Sequence, residues 1–259
     1  MIRIVHIARR ELTEQRRQPI MLMVITALYL LLAVVVLTPM PLLQSIANDP
    51  TLLEQMGDLL GGVVSGEDFI DNATYGVLLS FNFLMFTQFL GIAAVMSGHA
   101  VLHDRQCGTL PFLLLSPVKR VELFTGKVLG AIGTSLLLYL VVSGGIGLSL
   151  LAFPIAHAYP DFLPLNPAWW VAFLVGGPIW AVFISTMCTI VSSLASDVRT
   201  SQQSVWFIMF FGQFLAGTLL TNSLPDGVGM QVAVALLGLF CAGAALFVGS
   251  LTFRRDLGR

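Results

Sequence analysis

Long apolar runs, separated by shorter polar segments, make up most of the chain. Six of these runs contain no Asp, Glu, Lys or Arg: residues 20–37, 75–100, 128–153, 169–195, 204–220 and 230–253. Each is close to the roughly 20 helical residues that cross a ~30 Å hydrocarbon core. The strands of a membrane barrel instead alternate polar and apolar positions over about ten residues. The pattern therefore predicts an all-α integral membrane protein with six transmembrane helices.

The positions of the basic residues indicate how these helices are oriented. All 13 Lys and Arg residues lie in segments that six crossings place on one side of the membrane. They are Arg3, Arg9, Arg10, Arg16, Arg17, Arg105, Lys119, Arg120, Lys127, Arg199, Arg254, Arg255 and Arg259. The loops on the opposite side contain no Lys or Arg but eight acidic residues: Asp49, Glu54, Asp58, Glu67, Asp68, Asp71, Asp161 and Asp226. Because basic residues concentrate in cytoplasmic loops, we expect a multi-pass protein of the inner (cytoplasmic) membrane with both termini in the cytoplasm.

Two segments outside the spans are predicted to be helical. Residues 1–18 combine an apolar stripe with arginines, which predicts an amphipathic helix lying on the inner membrane surface. A solvated tail that only sets the topology is the alternative. In the outer loop, residues 38–74, we expect a short helix near 51–60, with Pro50 at its start and a capping box of Thr51 and Glu54. The acidic residues of this loop are expected to form a solvated face.

Glycines and aromatic residues indicate how the third and fourth spans pack. The glycines are Gly144, Gly145, Gly147, Gly176 and Gly177, the last of which precedes Pro178. Glycine lets membrane helices approach closely, and proline kinks a helix, so we expect tight packing of both spans and a kink in the fourth. Trp169, Trp170 and Tyr159 lie at the expected outer edge of the fourth span, as an interfacial aromatic belt requires.

The composition and the net charge narrow the possible functions. The chain is 56% hydrophobic and 10% charged, whereas soluble domains carry about 25% charged residues. The net charge of −1 gives no indication of a nucleic-acid partner. The three cysteines lie far apart in the sequence, so neither a disulfide framework nor a metal site is indicated. We therefore expect this chain to bind the lipid bilayer but no cofactor of its own.

The predicted spans contain no residues for powering transport. Ion-driven carriers usually place ionisable residues inside their spans, and these six spans have no Asp, Glu, Lys or Arg. The pair Gly126 and Lys127 is followed by Val128, where a phosphate-binding loop requires Ser or Thr, and Val121 stands where that loop requires Gly. Energy for uphill transport must therefore come from another chain.

Intramembrane proteolysis is the enzymatic alternative, because Ser143 lies within a predicted span. A serine mechanism needs a base such as histidine beside the serine. The four histidines, His6, His99, His103 and His157, all lie at or beyond span ends. The spans also lack paired Asp residues, and the chain has no His-Glu-x-x-His motif for a zinc mechanism. We therefore predict a non-catalytic membrane subunit.

The cytoplasmic loop between the second and third spans, residues 101–127, differs from the rest of the chain. It contains a charged turn, a short apolar segment at 110–115, a Ser-Pro pair followed by basic residues, and a helix that runs into the membrane. The apolar segment is too short to span a bilayer. An apolar segment flanked by charge is suited to a groove on a partner protein. An ordinary inside loop, whose basic residues only set the topology, is the alternative.

This loop resembles that of the permease subunits of ABC-2-type transporters, which reads Glu-Arg-x-x-Gly-Thr-Leu, then Pro-Val-x-Arg, then Gly-Lys. The corresponding residues here are Asp104, Arg105, Gly108, Thr109, Leu110, Leu114, Pro117, Val118, Arg120, Gly126 and Lys127. The layout is similar too, with an amphipathic amino-terminal segment, six spans and a larger first outer loop. The resemblance implies that these residues form a coupling helix that inserts into a separate ATPase.

The resemblance also implies a set of partners. We expect an exporter in which two copies of an ABC ATPase bind ATP and magnesium, while two permeases, either identical or sister chains, enclose the path. The alternative is a membrane anchor or assembly factor that recruits an ATPase without transporting. Three polar side chains in the spans, Asn82, Gln88 and Gln213, are candidates to line the path. They lie among many phenylalanines, and a phenylalanine-rich helix also suits packing against lipid or core.

Overall fold

A computed structural model of the chain describes residues 37–59, 66–106, 120–194 and 198–255, together with the single positions 27, 31 and 34. Every regular element within these ranges is helical. In chain order they are α1 (Pro39–Ala47), α2 (Pro50–Leu59), α3 (Gly66–Gln106), α4 (Arg120–Leu138), a π-helical turn (Tyr139–Ser143), α5 (Gly144–Leu150), two short 3-10 helices (Pro154–Ala158 and Pro160–Phe162), α6 (Pro167–Val171), a second π-helical turn (Ala172–Gly176), α7 (Gly177–Leu194), α8 (Val198–Asn222) and α9 (Val228–Arg255).

Five helical stretches of the described chain are long and apolar enough to cross a membrane. They are Asp68–Gly98, Glu122–Leu150, Pro160–Leu194, Gln203–Asn222 and Val228–Gly249. They correspond to the second to sixth predicted spans, so the all-helical membrane fold is confirmed. The predicted first span, 20–37, lies largely outside the described residues, and the predicted amphipathic helix at 1–18 lies entirely outside them. The count of six spans therefore stays a prediction.

Helix α3 is the central element of the bundle, and it packs most extensively against α7 and α8. Phe81, Phe86 and Phe89 of α3 are fully buried. Its 41 residues correspond to roughly 60 Å at about 1.5 Å per residue, twice the thickness of the hydrocarbon core. The helix therefore extends beyond the predicted span 75–100 in both directions, because hydropathy marks the membrane-embedded part of a helix rather than its ends.

The outer loop contains two helices, α1 and α2, where one was predicted. The predicted helix near 51–60 is confirmed as α2, which begins at Pro50. The predicted capping box was wrong in its capping residue: Asp49 Oδ1 accepts hydrogen bonds from the Thr51 amide at 3.0 Å and from Thr51 Oγ1 at 2.7 Å. The residue before an N1 proline is the N-cap position, which allows its carboxylate to reach the amide of the second helical residue. These hydrogen bonds lower the pKa of Asp49.

Helix α6, the first α-helix of the fourth span, begins at Pro167, two residues before the predicted start of that span. Asn166 caps this end, since its Oδ1 accepts a hydrogen bond from the Ala168 amide at 2.9 Å while its Nδ2 donates to Asp161 Oδ1 at 2.7 Å. Trp170 is partly exposed and donates to the Pro164 carbonyl at 2.9 Å. The belt role predicted for Trp169 was wrong, because its side chain is fully buried inside the bundle.

Candidate functional site

The residues predicted to couple to an ATPase are divided between described helices and a segment outside them. Gly108, Thr109, Leu110, Leu114, Pro117 and Val118 lie outside the described residues. Asp104 and Arg105 lie in the last turn of α3, and Arg120 is the first residue of α4. Gly126 and Lys127 lie further along α4 and are both buried. What is described is therefore the pair of helices that lead into and out of the loop.

The first turns of α4 are wedged against two other spans. Phe124 is 1% exposed, and its ring lies against Gly249 of α9. A Cβ atom at Gly249 would lie 2.7 Å from Phe124 Cζ and 3.1 Å from Ile190 Cγ1 of α7. Contacts this close exist only because position 249 has no side chain. Phe124 therefore joins α4 to α9, and Ile190 joins α7 to α9 at the same glycine.

The inner part of α3 is held in a similar way. Ser192 of α7 is 1% exposed, and its Oγ donates to the Gly98 carbonyl of α3 at 2.7 Å. Val205 of α8 packs on the same glycine, where a Cβ atom would lie 2.8 Å from Val205 Cγ2. We call Gly98, Phe124, Ser192, Val205 and Gly249 the inner clamp. It fastens both helices that flank the loop to the remainder of the bundle.

The predicted path residue Asn82 lies at a buried polar junction where α3 meets the beginning of the fourth span. Its side chain is fully buried, and its Nδ2 donates to the carbonyls of Leu78 and Phe162, each at 2.9 Å. Its Oδ1 accepts from Trp169 Nε1 at 2.8 Å. Asn82 therefore joins α3 to the second 3-10 helix and to α6. This geometry gives Asn82 a structural task, and its predicted contact with substrate stays a prediction.

The other two candidates for the path do not share this junction. Gln88 and Gln213 are both half-buried, on α3 and α8 respectively. Asn82 and Gln88 lie six residues apart, which separates them by about 120° around the helix and about 9 Å along its axis. They therefore lie on different faces of α3. A shared substrate-lining role for the three residues also stays a prediction.

The predicted close packing of the third and fourth spans is confirmed at most of the glycines. A Cβ atom at Gly144 would lie 3.4 Å from the Phe173 ring, and one at Gly147 would lie 3.1 Å from the Trp169 ring. Gly145 is different, since nothing lies within 4 Å of its Cβ position. Successive helix positions point about 100° apart, so Gly145 lies on another face of α5. The glycines therefore predicted correctly that these two spans pack closely, but not which individual glycines make the contacts.

Five acidic side chains of the described outer segments are solvated, while Asp49 and Asp161 are partly buried. Glu54, Asp58, Asp68, Asp71 and Asp226 are exposed. Tyr159 lies beside them and donates its hydroxyl to the Asp71 carbonyl at 3.2 Å. Partial burial, and then the nearby charge of Asp71, raise the pKa of Tyr159. Within the described ranges, no group of three or more His, Cys, Asp or Glu side chains could hold a metal ion.

These observations define the class as a multi-pass membrane protein, helical throughout its described elements, whose loop at 101–127 connects two tightly packed helices. Residues 5–254 match the family model described as ABC-2 family transporter protein. Since the match covers almost the whole chain, the chain belongs to the ABC-2 transporter family and is the permease subunit of an ABC transporter. Membership implies an ABC ATPase partner. Comparison with characterised proteins gives no match.

Proposed function

We propose that this permease is part of an ATP-driven exporter of the inner membrane, with both termini in the cytoplasm. In this proposal, a separate ATPase docks on the loop at 101–127, and its closure on ATP displaces the helices that flank the loop. The observation that carries the proposal is the inner clamp. The close contacts of Phe124 with Gly249 and of Ser192 with Gly98 would transmit such a displacement to the inner parts of the fourth and sixth spans.

The proposed energy source, ATP, follows from the absence of ion-binding side chains in the predicted spans. The six predicted spans contain no Asp, Glu, Lys or Arg side chain that could bind a driving ion. ATP and magnesium would therefore bind in the partner ATPase, which we propose is present in two copies. The basic residues at 105, 119 and 120 support docking on the cytoplasmic side, since all 13 basic residues segregate with them.

A pair of permeases would enclose the path. Helix α8 presents a continuous exposed face of aromatic side chains: Trp206, Phe207, Phe210, Phe211 and Phe214, each 55–65% exposed. This face is compatible with lipid and with a second permease. We propose that a second copy or a sister chain covers part of it, and that cargo passes between the two subunits. The half-buried Gln213 lies on the same helix and is our candidate for the cargo path on this side.

The substitution Leu114→Asp tests the docking role of the loop. We expect the variant to insert normally but to lose both ATPase stimulation and transport, because a buried carboxylate opposes docking of the apolar segment. The matched control is Leu52→Asp, on the outer helix α2, where the side chain is already 38% exposed. This control should leave coupling intact.

The readout uses the permease reconstituted in vesicles together with its ATPase. Transport of cargo when ATP is added supports the permease proposal. Stimulated ATP hydrolysis without any cargo movement would support the anchor or assembly factor instead. Unchanged coupling in the Leu114→Asp variant would contradict docking at this loop.

A further inference from the structure

Two π-helical turns lie side by side in the third and fourth spans. The first is Tyr139–Ser143, between α4 and α5, and the second is Ala172–Gly176, between α6 and α7. Their side chains are in contact, since the rings of Tyr139 and Phe173 have centroids 4.6 Å apart. The π-helix is rare and occurs mostly as single turns within α-helices, frequently at functional sites. Two such turns in contact make this level of the bundle unusual.

The hydrogen-bond register of the second turn assigns one carbonyl to a residue that has no N–H group. The Gly177 amide donates to the Ala172 carbonyl, five residues back, instead of to the Phe173 carbonyl, four residues back. In the same pattern, the Phe173 carbonyl would accept a hydrogen bond from the amide of residue 178. That residue is Pro178, which has no N–H group. The Phe173 carbonyl therefore needs a donor from elsewhere in the apolar interior.

Tyr139 supplies that donor from the neighbouring span. Its hydroxyl donates to the Phe173 carbonyl at 3.2 Å, and its side chain is fully buried. A Cβ atom at Gly177 would lie 3.0 Å from this hydroxyl oxygen, so the glycine leaves room for it. The Tyr139 ring also stacks on Phe89 of α3, with centroids 4.2 Å apart and planes at 12°. One side chain thus connects the second, third and fourth spans.

The two turns separate well-packed parts of the third and fourth spans. On the outer side, the Phe173 and Trp169 rings pack on Gly144 and Gly147, and Trp169 is hydrogen-bonded to Asn82. On the inner side, the inner clamp fastens α4 and α7 to α9 and α3. Each part is rigid by its own contacts. The π turns, whose hydrogen-bond register is already broken, are where the two spans can bend at least cost.

We infer that the paired π turns are a hinge, and that the Tyr139 hydroxyl is the latch that holds it in the arrangement described here. The inference rests on the proposed function, since it names the place where a displacement of the coupling loop is absorbed. When the ATPase shifts α4, the inner parts of the third and fourth spans tilt about the turns, and the outer parts keep their contacts. Hinges of this kind concentrate a large motion in a few backbone angles.

The first experiment measures how much the Tyr139 hydrogen bond stabilises the second π turn in the chain without its ATPase. The variant Tyr139→Phe keeps the ring stacking but removes the hydroxyl. In lipid nanodiscs, we expect amide hydrogen exchange at 172–177 to become about fivefold faster, as the loss of one buried hydrogen bond predicts. The matched control is Tyr159→Phe, because that hydroxyl also donates to a main-chain carbonyl at 3.2 Å but lies in the connection between the third and fourth spans. It should leave exchange at 172–177 unchanged.

A second substitution tests the backbone argument. The variant Pro178→Ala restores an N–H at the position that the π register assigns to the Phe173 carbonyl. In that background, Tyr139→Phe should change the exchange at 172–177 by less than about twofold, because the carbonyl has regained a donor. Equal effects of Tyr139→Phe in both backgrounds would overturn the latch.

The last experiment uses the complete complex with its ATPase. Addition of ATP should change hydrogen exchange at 139–143 and 172–177 more than at the straight segments 128–135 and 181–190. An active complex in which the π turns and the straight segments respond equally overturns the hinge and leaves the proposed function standing. A chain that binds no ATPase, and whose exchange does not respond to ATP, overturns the proposed function and the hinge with it.

Discussion

Replacement of Asn82 by leucine separates a structural role from a role in transport. The change keeps the number and branching of the side-chain heavy atoms, although leucine is the larger residue, and it removes the side-chain hydrogen bonds to Phe162 and Trp169. In membrane proteins such bonds contribute about 0.6 kcal/mol each on average. The Phe162 carbonyl and the Trp169 N–H are then left without these partners in the interior, and an unpaired buried polar group costs about 1–3 kcal/mol. We therefore expect Asn82→Leu to lower the free energy of unfolding by about 1–3 kcal/mol.

The assay is unfolding in mixed micelles, followed by far-UV circular dichroism, for four proteins: wild type, Asn82→Leu, Trp169→Phe and the double variant. The Asn82–Trp169 hydrogen bond should appear as a coupling energy of about 0.6–1.7 kcal/mol. Additivity within about 0.3 kcal/mol would refute the reasoning. A normal unfolding free energy with altered transport in Asn82→Leu would instead support the substrate contact that the sequence predicted.

Two further predictions concern the inner clamp and the outer loop. Gly249→Leu should abolish coupling and destabilise the bundle by at least about 1–3 kcal/mol, because a side chain there collides with Phe124. Gly243→Leu is its control on the same helix, since nothing lies within 4 Å of that Cβ position; equal loss in both would contradict the clamp. Asp49→Ala should speed amide exchange at the start of α2 at neutral pH. Since the pKa of Asp49 is lowered from 3.8, its stabilisation is complete above that value and is lost as the pH falls through the lower, folded pKa. Asp49→Asn should keep most of the cap without this pH dependence.

Hydropathy predicted the gross architecture because it acts through the solvent. A run such as 230–253 has to be buried in lipid wherever its neighbours lie, and the structure places a helix there. The contacts between helices depend on which faces meet, and a single sequence does not contain that information. For this reason Trp169 was assigned to the membrane interface although it is buried against Gly147 and hydrogen-bonded to Asn82.

The hydrogen bond of Tyr139 shows which features of the fold a local sequence pattern can predict and which it cannot. The sequence Gly176-Gly177-Pro178 predicted a kink in the fourth span, and a π turn ends at Gly176, two residues before the proline. The donor that completes it comes from position 139, 34 residues from Phe173 in the chain, so no local pattern could identify it. The pairing of Ser192 with Gly98 across 94 residues was missed for the same reason.

The native Cys107 provides the most direct test of the central claim that an ATPase docks on the loop at 101–127. This residue lies within the loop, whereas Cys188 is buried and Cys241 is half-buried within spans. A membrane-impermeant maleimide should label Cys107 in inside-out vesicles but not in intact cells, and the bound ATPase should block the reaction. The variant Cys107→Ser should abolish labelling. Labelling in intact cells, or undiminished labelling beneath a bound ATPase, would contradict the account.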